Sequence, residues 1–250
     1  FKIKKFDIVY INSIFSFHSI KFIFLSRVYN KKVFISPRGS VNQISLKKRK
    51  LEKLFIILLI KKLLKKENTK FIATSDLEKN EIINFFKKYK VEVLPNGLNT
   101  LNLYYPMKNK ESEILQFIDK YTILYFSRID KKKNLDKLIN VLDKYKLLIV
   151  GDYSDKEYFN SLDLSNKNIK YVGPIYSKDL IKKIFSKVAF LCLPSNFENF
   201  ANCVLDSIYY GCPVLLSQNI GLVDLVNKFK LGHIFKDNIK YKDLEYMFNN

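Results

Sequence analysis

The sequence predicts an α/β protein made of two Rossmann-like domains with parallel sheets. Three features carry that expectation. Short apolar runs rich in β-branched and aromatic residues recur along the 250 residues, helix-period segments lie between several of them, and one turn-rich segment separates four such runs from five. Strands that alternate with helices form parallel sheets, because each crossover helix returns the chain to the same end of the sheet.

In the first half the strands are "FDIVYIN", "KVFISPRG", "KFIATS" and "VEVLPNG", and the helices are "LEKLFIILLIKKLLKK" and "DLEKNEIINFFKKY". In the second half the strands are "YTILYFSRI", "KLLIVGD", "IKYVGP", "VAFLCLPS" and "PVLLS", interleaved with the helices "KNLDKLINVLDKY", "SKDLIKKIFSK" and "ANCVLDSIYYG". The strands are almost continuously apolar, as expected when helices cover both faces of a sheet. The segment "NGLNTLNLYYPMKNKESE" has turn residues, a proline and charges but no period, so a boundary is placed in it, with domains at 1–105 and 106–250. The first domain reads as incomplete. The chain opens on Phe1 with no signal-peptide pattern, which reads as a fragment.

The net charge is +20, yet nucleic acid is not expected as a partner. The composition is rich in Lys, Asn, Ile, Phe and Tyr, all served by A/T-rich codons. Arginine, whose planar fork suits phosphates and base edges, occurs only at Arg27, Arg38, Arg49 and Arg128. A chain that uses Lys almost everywhere keeps Arg where a bidentate contact matters. Cys192, Cys203 and Cys212 form no CxxC pair, and only His18 and His233 accompany them, so reduced thiols in a cytoplasmic protein are expected rather than a metal site. The longest apolar run, "LFIILLI", is too short to span a bilayer.

Parallel sheets bind ligands beyond the carboxyl ends of their strands. In "FSRIDKKKNLDKLI", Arg128 ends a strand and Lys133 stands just ahead of a helix beginning near Asn134 or Leu135. That loop reads equally as a diphosphate site and as a solvated basic turn. In "CLPSNFENFANCVLDSIYYGCPVL", Glu198 lies in a turn before a helix beginning near Phe200, and Asp206 falls two turns along on the same face as Asn202. A carboxylate there accepts two hydrogen bonds from a vicinal diol, as in a ribose. Glu198 either holds sugar hydroxyls or simply favours the helix dipole. Asp206 sits beside Val204, Leu205 and Ile208, and a buried acid needs a partner. In "ISPRGSVNQISLKKRK", Arg38 and Gly39 follow a strand directly; the glycine permits close backbone approach, and a surface arginine at a turn is the alternative. The sequence contains no Asp-x-Asp, GxGxxG, P-loop or Gly-x-Ser-x-Gly pattern, which leaves paired-aspartate metal sites, dinucleotide cofactors and triad hydrolysis without a signature.

With those residues in view, the chain resembles glycosyltransferase family 4, the retaining group of GT-B fold. The block "PSNFENFANCVLDSIYYGCPVL" is similar to the family's two-carboxylate motif, with seven residues between Glu198 and Asp206, and "SRIDKKKNLDKLI" is similar to a second family block. "VYINSIFSF", "ISPRGS", "ATSDLE" and "VLPNG" follow the family's order. The resemblance implies a glycosyltransferase of surface polysaccharide (lipopolysaccharide or capsule) synthesis, with a UDP- or GDP-sugar as donor, a glycan or lipid-linked acceptor, no cofactor and no metal. By that resemblance Arg128 and Lys133 neutralise the leaving diphosphate and Glu198 meets the donor sugar. Asn199, Phe200, Ala201 and Asn202 line the donor, and Asp206 holds the ribose. Arg38, Gly39 and Asn12 face the acceptor side. The chain departs from the family at Asp206, where the family has Glu; at Ala201, where it has Gly and where a methyl crowds the donor if φ is positive; at Ser127, where Gly is common; and at Tyr10 and Asn12, which are often His.

The segment "SLKKRKLEKLFIILLIKKLLKK" is basic at both ends. Its apolar residues nearly encircle a helix axis, so it is expected to be buried on the first sheet, with a basic rim that touches an anionic membrane surface on the inner face. A GT-B nucleotide-sugar epimerase and a non-catalytic basic binding module for nucleic acid or membrane are the other functions considered.

Overall fold

A computed structural model of the chain describes residues 2–47, 49–98 and 111–249. It divides into two compact units, Phe1–Asn96 and Gly97–Asn250. The boundary expected at 105/106 lies outside the described residues.

The first unit runs β1 (Ile8–Asn12), α1 (Phe17–Val28), β2 (Lys32–Ser36), α2 (Gln43–Lys47), α3 (Lys50–Leu63), β3 (Thr69–Ala73), α4 (Asp76–Phe86) and β4 (Lys90–Val93). The strands form one parallel sheet in the order β1-β2-β3-β4. Ile11 stands opposite Ile35, and Ile35 opposite Phe71. Alternate residues point to opposite faces, so Ile11, Val33, Ile35, Phe71 and Ala73 share one buried layer with Ile23 of α1, Ile57 and Ile60 of α3, and Ile82 and Phe86 of α4. Ile8 and Tyr10, on the other face of β1, are exposed.

Sequence reasoning left α1 out, because its Phe- and Ile-rich composition favours a strand. A local cap decides for the helix: Ser16 sits in extended backbone and its Oγ accepts a hydrogen bond from the Ser19 N–H at 3.0 Å. The expectation that α3 is buried on the first sheet with only a basic rim outside is corrected here. Ile57 and Ile60 are buried, but Leu51 is 83% exposed, Phe55 68% and Leu58 58%. The helix has more apolar residues than one sheet-facing stripe can cover.

The second unit runs α5 (Glu111–Phe117), β5 (Thr122–Phe126), α6 (Leu135–Asn140), β6 (Lys146–Val150), α7 (Lys156–Asn160), β7 (Ile169–Gly173), α8 (Lys178–Phe185), β8 (Phe190–Leu193), α9 (Asn202–Tyr209), β9 (Val214–Ser217), α10 (Val223–Phe229), β10 (Gly232–Phe235) and α11 (Tyr241–Asn249). Its six strands are all parallel, in the order β10-β9-β8-β5-β6-β7. Both faces are covered. Leu124, Leu148, Leu191, Val214 and Leu216 pack on one side with residues of α5, α8, α9 and α10. Ile123, Tyr125, Leu147, Ile149, Phe190, Cys192 and Leu215 pack on the other with residues of α6 and α11. That two-sided burial is why these strands read as unbroken apolar runs. The sixth strand, β10, escaped sequence reasoning because "GHIF" opens on a glycine and carries a histidine.

The order reverses at β5, the first strand of the unit: β6 and β7 extend from one edge of it and β8, β9 and β10 from the other. A doubly wound sheet opens a crevice at such a switch point, beyond the carboxyl ends of the two central strands. The loops that leave β5 and β8 therefore stand where a ligand site is expected.

Candidate active site

The β5–α6 loop carries Arg128 and Lys133. It is anchored to the β6 side of the sheet, where the Ile129 N–H donates to the Asp152 carbonyl at 2.8 Å and Ser127 to Val150 at 3.0 Å. The approach of β6 is close enough to require Gly151: a Cβ there would lie 1.9 Å from the Ser127 carbonyl oxygen, and the glycine's φ is +152°. Arg128 is exposed, while its carbonyl accepts the Tyr125 hydroxyl at 3.1 Å. A 3₁₀ turn, Lys131–Lys133, follows, with Asp130 accepting the Lys132 N–H at 3.1 Å. Asn134 then takes the left-handed conformation at φ 52° before α6 begins, a role for which asparagine is among the least strained side chains.

The two loops are laced together. The buried Asn134 side chain donates to the Pro194 carbonyl at 2.9 Å and to the Asn196 side-chain oxygen at 2.7 Å, and the Asn196 N–H donates to the Lys132 carbonyl at 2.9 Å. Across this seam the Lys133 ammonium forms an ion pair with the Glu198 carboxylate. The two side chains are only 10% and 17% exposed, so the pair is shielded from water, where ion pairs have most effect and are most damaging to break. Lys133 and Glu198 were expected to meet different parts of a ligand. The structure adds that they meet each other.

Glu198 is held by its backbone as well. Its N–H donates to Asn219 at 3.1 Å and its carbonyl accepts from Gly221 at 3.0 Å, a bridge to the β9–α10 loop. The Ser217 hydroxyl donates to the Ser195 carbonyl at 2.5 Å. The helix expected near Phe200 starts at Asn202 instead, because Ala201 is the residue before it in left-handed backbone, φ 60° and ψ 74°. That conformation costs a side-chain-bearing residue about 1–2 kcal/mol. Phe200 is buried in the apolar core, which leaves its backbone rather than its ring to face a ligand. Asn199 is half-buried and Asn202 exposed.

Asp206 is half-buried in α9. Burial pushes its carboxyl above the usual range, and the Lys178 ammonium from the start of α8 opposes that rise. Lys178 is thus the cationic neighbour that sequence reasoning asked for and did not find. The Cys203 thiol lies within the fields of Lys133, Glu198 and Asp206, and burial pushes it up to about 12, so it stays a neutral thiol at neutral pH.

In the first unit Arg38 and Gly39 follow β2, both in left-handed backbone at φ 54° and φ 73°. The Arg38 Nε donates to the Asn12 side-chain oxygen at 3.3 Å, and Nη1 donates to that of Asn96. The Gly39 N–H donates to the Glu78 carboxylate at 2.7 Å. Sequence reasoning missed the contacts of Asn96, Asn134, Asn196 and Glu78. The asparagines act through partners dozens of residues away, and the Ser75-to-Glu78 spacing signals a helix cap but not the bond to Gly39. Among the described residues no group of three or more His, Cys, Asp or Glu could hold a metal ion, and no helix is long and apolar enough to cross a membrane.

Comparison with known proteins sets this geometry in a family. The chain is 28% identical to a 41.2 kDa protein of the cps region of Klebsiella pneumoniae, over 98% of this chain and 70% of that protein. It is 26% identical to the lipopolysaccharide 1,6-galactosyltransferase of Escherichia coli K12, over 66% of this chain and 47% of that enzyme. Among solved structures it is similar to Anabaena Alr3699/HepE in complex with UDP-glucose, with a TM-score of 0.74 at 16% identity, over 99% of this chain and 69% of that one. A sucrose-phosphate synthase from Thermosynechococcus elongatus superposes with a TM-score of 0.70 at 19% identity, over 98% and 63%. These likenesses bear out the expected fold: an α/β protein with the Rossmann-like parallel sheets of GT-B glycosyltransferases. The family model described as glycosyl transferases group 1 matches residues 107–247, more than half of the sequence, and the chain belongs to that family.

Proposed function

We propose that the chain transfers a sugar from a nucleotide diphosphate donor to a glycan or lipid-linked acceptor, with retention at the anomeric carbon and without a metal or cofactor, as a member of glycosyltransferase family 4. The observation that carries the reading is the shielded Lys133–Glu198 pair at the switch point between β5 and β8. A nucleotide diphosphate needs fixed positive charge at its phosphates and acceptors at its sugars, and the two laced loops carry both. Residues 106–250 are the donor domain in this reading and residues 1–105 the acceptor-side domain.

Arg128 and Lys133 take the diphosphate, and the charge that develops on it as the sugar leaves is where preorganised cations contribute most. Glu198 exchanges part of its bond with Lys133 for the donor sugar's hydroxyls. The turn from Asn199 to Asn202 lines the donor with backbone and amide groups, and Asp206 accepts the ribose hydroxyls. Arg38, Gly39 and Asn12 act on the acceptor side. UDP is the favoured nucleotide, supported by the neighbours solved with UDP-glucose and with UDP, and GDP is the alternative. The relatives from a cps region and from lipopolysaccharide synthesis support a surface-polysaccharide acceptor.

The acceptor of such an enzyme is often held in a membrane, and α1 and α3 support peripheral contact with an anionic one at the cytoplasmic face. Leu51, Phe55 and Leu58 lie at i, i+4 and i+7 on one face of α3 and are exposed, as are Phe17 and Phe24 of α1. Basic residues, among them Arg49, Lys50, Lys61 and Lys62, flank them.

Nuclear magnetic resonance of the sugar released from UDP-glucose to water tests the reaction. The α anomer appearing first supports transfer with retention; β anomer first contradicts retention. A changed nucleotide-sugar with no free UDP would favour an epimerase.

A further inference from the structure

We infer that Glu78 is the positioning residue for Arg38, a role that rests on the reading of Arg38 as a ligand-facing group. Glu78 stands in the first turn of α4, after the N-cap Ser75, whose hydroxyl accepts the Glu78 N–H at 3.2 Å. An acid three residues after a serine cap ordinarily completes a local capping box. Here the carboxylate also reaches out of its own helix. Oε2 accepts the Thr74 N–H at 2.7 Å and the Thr74 hydroxyl at 2.8 Å, while Oε1 accepts the Gly39 N–H from the β2–α2 loop at 2.7 Å. The residue is fully buried.

The Gly39 contact controls Arg38 through the peptide plane. The amide joining Arg38 to Gly39 is planar, so fixing its N–H fixes the ψ of Arg38 and the φ of Gly39 together. Both residues are in left-handed backbone, which an arginine adopts only under constraint. A charged acceptor on the N–H supplies that constraint, and charge-assisted hydrogen bonds are the strong ones. The rest of the loop is held more lightly: Ser40 caps back on Pro37 through its N–H at 3.2 Å and its hydroxyl at 2.6 Å, and the Asn42 side chain donates to the Gly39 carbonyl at 2.9 Å. The Arg38 guanidinium, for its part, rests on the neutral amide oxygens of Asn12 and Asn96. Neutral acceptors orient the fork and leave its charge available to an anionic or hydroxyl-rich ligand. The carboxylate that steers Arg38 acts from behind, on the backbone, so it does not occupy the guanidinium.

Only Arg27, Arg38, Arg49 and Arg128 are present, so the chain carries its own controls. Phenylglyoxal labelling of the intact chain, read by peptide mass spectrometry, follows each arginine in the wild type, Glu78→Gln and Glu78→Ala. A glutamine cannot accept from both the Gly39 and the Thr74 N–H groups, since one of its two terminal atoms is a donor. Arg38 is exposed in the fold, and its labelling rate is expected to rise about tenfold as the guanidinium leaves Asn12 and Asn96, with Arg27, Arg49 and Arg128 at wild-type rates. An unchanged Arg38 rate overturns the inference. So does a rise at all four arginines, which would make Glu78 a support of the fold alone.

A second arm measures UDP release from UDP-glucose. Glu78→Gln and Arg38→Gln are expected to lower turnover alike and the double variant no further, with affinity for UDP unchanged; additive losses count against positioning. If the wild type releases no nucleotide from UDP-glucose or from a GDP-sugar, the proposed function fails while the labelling still judges Glu78.

Discussion

Ala201 is held at φ 60°, where the resemblance expects glycine. The strain follows from a single methyl, and a single change should relieve it. Ala201→Gly is expected to raise stability by about 1 kcal/mol, the left-handed strain recovered less the extra entropy of an unfolded glycine. Urea denaturation checks this: the midpoint rises with an unchanged slope, whereas a fall would show that the alanine is unstrained. The places of the candidate site residues were legible in sequence: Arg128, Lys133 and Glu198 stand between a strand end and a helix start, and Asp206 lies one turn into α9. Their partners were not. The Lys133–Glu198 pair joins positions 65 residues apart, and the Asn134–Asn196 seam 62. Contacts of that kind exist only once β5 and β8 lie side by side.

Among elements, the strands were read best where both faces are buried, since an unbroken apolar run leaves little ambiguity. Sequence reasoning left out β10 and α1, whose composition opposes their conformation, and the helices α2, α5, α7, α10 and α11, most of them only five to seven residues long; α3 was read, but its outer face stays exposed. Helix α4 makes its own prediction. Burial, helped by the negative charge of Glu78, pushes the Glu81 carboxyl up to about 7. Among the described residues its buried Oε2 has no hydrogen-bond partner. A carboxyl whose folded value is raised keeps its proton in the fold after the unfolded chain has lost it. Its contribution is therefore complete below the unfolded value of 4.5 and is lost as pH rises through about 7. Glu81→Gln should flatten that decline and stabilise the protein by about 1 kcal/mol at pH 8, a figure kept low because the side chain is partly solvated. Denaturation midpoints at pH 5 and pH 8 test it; an equal loss at both would contradict it.

Helices α1 and α3 make the second element-scale prediction. If their exposed apolar residues rest on a bilayer, the chain floats with vesicles containing an anionic lipid and not with neutral ones. Phe55→Asp should reduce flotation about tenfold, since it puts a charge where an exposed ring would rest in the bilayer. High salt should reduce it further, each nearby lysine contributing about 1 kcal/mol. Flotation that is unchanged by Phe55→Asp and abolished by salt would assign the contact to charge alone.

On the scale of the whole molecule, the parallel sheets and the reversal of strand order at β5 explain why Lys133 and Glu198 meet from two loops although they stand 65 residues apart. The charge of +20 has a narrower meaning than its size implies. Most of it is lysine spread over the surface, whereas the shielded cation beside the switch point is Lys133, already matched to Glu198. In the proposed function the loops after β5 and β8 bind the donor's nucleotide. Calorimetric titration of UDP and GDP into the chain, with Arg128→Ala and Lys133→Ala alongside, is the measurement to make first. One saturable site is expected for one of the two nucleotides, weakened about tenfold or more by each substitution in a protein that remains folded. Nucleotide binding that both folded variants retain at full strength would contradict it.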